Sequence, residues 1–157
     1  MFTPENFVQW TYERPQFIRR AIEKVVDFNV SILKRLRKIE ADLVIRGGDY
    51  AEKNGPMVPP SFFREVVFPS LRTQVEESHR LGVKFKPADG NLNPLLPDLA
   101  RIVDGLHSLD PTAGMDIGTM KAEYGKKLVL LGNVACACLW IASPSSLPSA
   151  PQSAQSP

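Results

Sequence analysis

Six polar side chains stand where short apolar runs of this chain end. Asp49 follows Gly47 and Gly48 after LVIR, and Asp89 and Asn91 flank Gly90 after VKFK. His107 lies inside GLHSL with Asp110 just beyond it, and Asn133 follows VLLG. Carboxylates accept hydrogen bonds, carboxamides donate and accept, and imidazole does either and titrates near neutral pH. Together such groups could line a pocket for a small polar ligand. Each also has a plainer reading. Asp89 and Asn91 fit an Asx-type turn that satisfies local backbone groups, and Asp110 before Pro111 fits a turn acid. His107 has the alternate spacing of a structural histidine in a strand, and Asn133 could cap the strand exit. His79, in the last turn of a helix, reads as structural because the helix dipole favours a cation there. Asp116 reads as an N-cap.

The elements that must position these groups follow from apolar spacing. Ile18, Ile22, Val25, Val26, Leu33, Leu36 and Ile39 recur at intervals of three and four, which predicts one amphipathic helix over Pro15 to Glu40. Leu43 to Arg46 reads as a buried strand. Pro60 and Ser61 can open a short helix through Phe68, and Pro69 should break it and begin a second, Ser70 to Leu81, capped by Gly82. VKFK reads as a strand that stops at Pro87. NPLLPDLARIV reads as a helix with Leu95, Leu96, Leu99 and Ile102 on one face. DGLHSLD is a strand and its exit, Asp116 to Tyr124 a helix ended by Gly125, and KKLVLLGNV a last strand. Helix and strand alternate, which predicts an α/β fold with a parallel sheet and outer helices. In such folds ligands bind at the C-terminal ends of the strands, where the six polar residues stand. Gly90 would let the backbone turn and approach a ligand.

The bulk numbers exclude several classes. The 157 residues are 43% hydrophobic, 23% charged and 8% aromatic, enough for one core. Nineteen basic against 17 acidic residues leave a net charge of +2, with no basic tract, so no nucleic-acid partner is expected. The longest apolar run, Leu128 to Ala142, is interrupted by Gly132 and Asn133 and is short for a membrane span. The N-terminus lacks the basic and apolar regions of a signal peptide. Cys136 and Cys138 make neither a disulfide framework nor a four-ligand zinc pattern, so no metal site and a reducing, cytoplasmic setting are expected. Residues 135–157 are rich in Ala, Ser, Pro and Gln and carry no charge, which predicts a disordered tail after a domain over 1–134.

Several phrases together carry a resemblance. GPMVPPSFFREVVFPSL, DGN, HSLDPTAGMD and LLGNV resemble the C-terminal half of the uroporphyrinogen decarboxylase family, which includes cobamide-dependent methyltransferases. The resemblance covers about Phe2 to Val134. It implies a (β/α)8 barrel of TIM type, of which this chain would hold about four parallel strands with outer helices; a full barrel takes about 250 residues. It also implies decarboxylation of uroporphyrinogen acetate groups without a cofactor, with Asp49, Asp89, Asn91, His107, Asp110 and Asn133 lining one wall of the substrate pocket. The arginines and aspartate by which the decarboxylase holds its substrate lie in the other half, so this chain alone is expected to be inactive. The partner is then a second copy in a homodimer, or an N-terminal half. The methyltransferase branch would use corrinoid and zinc, held by a His-x-Cys pair. Here Pro87-Ala88-Asp89 stand at those positions, and proline cannot ligate a metal. The last strand reads GNVA where the family has G-N-x-D, and the tail composition is what a changed reading frame would give.

Overall fold

The structure, a computed structural model, describes residues 3–36, 39, 42–82, 84–87 and 90–135, with backbone alone for 84–87. Asp89, Cys136, Cys138 and the expected tail beyond residue 135 lie outside the described residues.

Two helices open the chain. Thr3 Oγ1 accepts from the Asn6 N–H at 3.2 Å and Pro4 takes the first turn, so α1 runs Pro4–Glu13. A proline at position 15 then starts α2, Pro15–Leu36. The joint is held by Trp10 edge-on to Phe17 at 5.6 Å, with the Arg14 guanidinium 5.6 Å from the Trp10 ring. α2 is the amphipathic helix that the spacing predicts, but it buries only Ile18 and Leu33 fully. Val25 remains 52% exposed and Phe28 64%.

Pro69 does not break the next helix. α3 (Pro60–Phe62) runs through a π-helical turn, Phe63–Val67, into α4 (Phe68–Arg80) without interruption. The physical reason lies in the proline. Its ring denies a hydrogen bond to the carbonyl four residues back, that of Glu65, and crowds it. A widened π turn makes room at that point. Arg19 of α2 reaches over, its Nη1 3.5 Å from the Glu65 carbonyl oxygen and its Nη2 3.5 Å from the Glu65 carboxylate. α4 ends as predicted, with Gly82 at φ +74. The helix expected over Asn93 to Val103 is shorter: a 3₁₀ turn, Asn93–Leu95, leads into α5, Leu96–Leu99. Pro94 and Pro97 each remove a donor there, and Leu95 and Leu99 still reach the core.

The strands pair in parallel. β1 (Leu43–Arg46) lies against β4 (Lys84–Pro87), with Leu43 opposite Lys84 and Arg46 opposite Pro87, so the strand includes the proline instead of stopping before it. β5 (Gly105–Leu109) lies against β6 (Val129–Gly132). β4 packs beside β5. Between β1 and α3 sits a small antiparallel hairpin, β2 (Ala51–Glu52) and β3 (Gly55–Pro56). α6, Ile117–Tyr124, is capped by Asp116, which accepts from the Thr119 N–H at 2.7 Å, and Gly125 closes it.

The core lies between the strands and α3–α6. Phe63, Phe68, Leu71, Leu99, Leu106 and Met115 form its centre. Val44 of β1 and Leu130 of β6 pack against it, while their strand neighbours Leu43, Ile45, Val129 and Leu131 stay exposed. Alternation along a strand sends successive side chains to opposite faces. The faces of β1 and β6 away from the core are therefore apolar and open. The chain is an α/β protein with two parallel strand pairs and a small antiparallel hairpin.

Candidate functional site at the strand exits

The loops that leave β1, β4, β5 and β6 touch one another in that order. The Asn91 N–H donates to the Glu52 carbonyl at 3.0 Å, which ties the β4 exit to the hairpin that follows β1. Asn93 Nδ2 donates to the Gly114 carbonyl at 3.1 Å, and the Leu92 N–H meets Met115 Sδ at 3.3 Å, tying the β4 exit to the β5 exit. Asn133 Nδ2 donates to the Met115 carbonyl at 2.8 Å and to that of Leu109 at 3.3 Å, tying β6 to β5. Four exits joined this way form one continuous surface.

Two glycines make the close approaches possible. At Gly90, φ is +79 and a Cβ would sit 2.0 Å from the Ala51 carbonyl oxygen. The sequence suggests an approach to a ligand; the structure shows an approach to the hairpin backbone instead. At Gly132, φ is +144 and a Cβ would sit 2.9 Å from the Leu109 N.

The predicted polar residues divide on this surface. Asn91 makes an Asx turn, its Oδ1 accepting from the Asn93 N–H at 3.2 Å. The Asp110 carboxylate is a turn acid that accepts from the Thr112 N–H and hydroxyl, both at 2.8 Å. Asn133 is the staple between loops. In these three the plainer reading describes what the side chain does. Asp49 is exposed and lines a separate cavity beneath α2. His79 bonds Asp104 Oδ2 through Nε2 at 2.7 Å, between α4 and the entry of β5.

His107 differs from all of these. The β5–β6 register slips between Leu106 and Leu109, and Ser108 takes a left-handed φ of +56. A non-glycine residue there is strained, and such bulges re-aim side chains. Ser108 Oγ lies 2.7 Å from His107 Nδ1, which fixes the ring. Whichever partner carries that hydrogen, Nε2 keeps the opposite capacity. Nε2 is buried and has no hydrogen-bond partner among the described residues. An unmet buried nitrogen costs about 1–3 kcal/mol, so it marks a position that a ligand or another chain segment would satisfy. The sequence shows His107 but not the bulge, because a left-handed Ser108 has no local signature. The hairpin turns at Lys53–Asn54, and Gly55, at φ +132, opens its return strand.

Among the described residues no group of three or more His, Cys, Asp and Glu side chains stands close enough to hold a metal ion. No helix of the described residues is long and apolar enough to cross a membrane. A family model described as Uroporphyrinogen decarboxylase (URO-D) matches residues 1–153. Searches of the curated proteins and of the solved structures returned no match.

Proposed function

Because this chain belongs to the uroporphyrinogen decarboxylase family, we propose that its strand-exit surface is one wall of a site for uroporphyrinogen, in which acetate side chains lose CO2 and take up a proton to become methyl groups. The wall is the C-terminal half of a (β/α)8 barrel, with β1, β4, β5 and β6 as consecutive parallel strands. The single observation that carries the reading is His107 at the bulge of β5. It is held by Ser108, and its Nε2 has no protein partner among the described residues. A fixed imidazole at a strand mouth can hold a substrate carboxylate or a pyrrole N–H, depending on its tautomer. Asn91, Asp110 and Asn133 shape the wall by holding its loops, and Asp89 belongs to the same β4 exit. A wall without its counterpart binds substrate without turning it over.

The test is an anaerobic titration of uroporphyrinogen into the chain by fluorescence, with CO2 release followed in the same samples. Saturable binding without CO2 release is expected, weakened about tenfold in His107→Ala by loss of one hydrogen bond to a charged group. CO2 release at a catalytic rate would overturn the claim that the chain alone is inactive. No binding would overturn the substrate. Binding of a cobalamin in its place would move the chain to the methyltransferase branch.

The open sheet face supports a second, non-catalytic reading. Leu43 and Ile45 at one outer strand and Val129 and Leu131 at the other are apolar and exposed. Outer strands of this kind favour association with a second copy or a complementary half. Concentration-dependent mass in sedimentation supports it, and a strictly monomeric chain counts against it.

A further inference from the structure

A cavity of about 290 Å³ lies beneath α2, beside the exit of β1. Its lining is mostly apolar, with Ile22 and Val25 of α2, Leu71 of α4 and Met57 after the hairpin, and Ser70 and Gln74 of α4 add polar side chains. This is the space that α2 leaves by burying so little of its apolar face. Small-molecule pockets are of this kind, apolar bodies of about 300 Å³ or more with a few placed polar groups.

The placed group here is Arg46. It ends β1 and turns towards the helices, half-buried at the cavity wall. Its Nη1 donates to Tyr50 Oη at 2.7 Å, and its guanidinium carbon lies 5.8 Å from the Tyr50 ring. Tyr50 is buried, and burial raises its phenol pKa, so it stays neutral and cannot balance the charge. No carboxylate lies within ion-pair distance of Arg46 among the described residues. Asp49 also lines the cavity, but it is exposed to water and forms no pair with Arg46. A half-buried guanidinium with unused N–H groups is matched best by a carboxylate, which can take two of them in parallel.

We infer that this cavity binds a small amphipathic carboxylate, with its apolar body under α2 and its head on Arg46. The proposal is separate from the porphyrinogen reading, since His107, Asn91, Asp110 and Asn133 do not line this cavity and its ligand is different.

The test is calorimetric titration of the full chain with octanoate and, in parallel, with 1-octanol. One octanoate per chain is expected, bound about tenfold tighter than octanol, the scale of one charge-assisted hydrogen bond. Arg46→Met should remove that preference while leaving octanol binding in place. Asp49→Asn should tighten octanoate by removing a like charge from the rim. Ile22→Trp, which fills the cavity and keeps Arg46, should abolish both ligands, so a fold defect in Arg46→Met cannot hide the answer. Equal affinity for octanoate and octanol, no saturable binding, or octanoate binding retained in Ile22→Trp would each overturn the proposal.

Discussion

An alanine at position 90 would bring its Cβ against the Ala51 carbonyl, a backbone group that cannot swing away. The same residue would have to hold a φ of +79. Gly90→Ala should therefore cost about 2–4 kcal/mol, from overpacking and backbone strain together. A urea titration reads this as a lowered midpoint at constant slope. Asp116 shows a milder effect with a defined sign. The Thr119 backbone N–H bonds its carboxylate and holds its pKa below the ordinary 3.8. A carboxylate with a lowered folded pKa stabilises the fold above its unfolded value, and that contribution is lost as pH falls through the folded one. Melting temperature should therefore fall below pH 3.8 with a component that Asp116→Asn removes. Asn still caps, so the neutral-pH melting temperature should change little. At this scale the sequence is legible where the cause is local. Asp116, Gly125 and Gly82 announce themselves by type and spacing. Gly90 announces a turn, but the backbone it must clear, that of Ala51, is remote in the chain and invisible in the pattern. Asn91, Asp110 and Asn133 look equally like ligand groups and loop staples until their partners are known.

At the scale of elements, the π turn at Phe63–Val67 is the main departure from the sequence reading. In the sequence Pro69 marks a boundary, because a helix loses a hydrogen bond at a proline. The chain instead widens one turn, since the apolar side chains on both sides of Pro69 belong to one buried face. Phe63 stacks edge-on to Tyr50 at 5.6 Å and tilts against Phe68 at 5.7 Å. Breaking the helix at Pro69 would draw Leu71 and Val75 away from the core that they share with Phe63 and Phe68. Phe63→Ala should cost about 3–5 kcal/mol, the usual loss for a buried phenylalanine, read from thermal or urea unfolding. β1, α4 and α6 fall close to their expected bounds, because apolar runs, caps and glycines act locally. α5 shrinks because two prolines outweigh its leucine spacing. The bulge in β5 stays hidden because register is settled between strands, and it is the bulge that sets His107.

At the scale of the whole molecule, β1 and β6 turn one face to the core and leave the other apolar and open. Leu43, Ile45, Val129 and Leu131 remain on that open side. A net charge of +2 offers little repulsion between copies. Sedimentation velocity should show mass rising with concentration. The double variant Ile45→Lys with Leu131→Lys should suppress the rise with less than about 1 kcal/mol change in stability, because both sites are already in water. The alternation of helix and strand made an α/β parallel arrangement legible in the sequence. The open face is not legible in the sequence, because no local pattern says how many strands a sheet should have.

The proposed porphyrinogen-binding wall has His107 as its anchor. The most direct measurement is the nitrogen-15 NMR signal of its imidazole during an anaerobic uroporphyrinogen titration. A saturable shift at Nε2 is expected, with His79 unmoved. Binding that leaves His107 unshifted, or no binding at all, would contradict it.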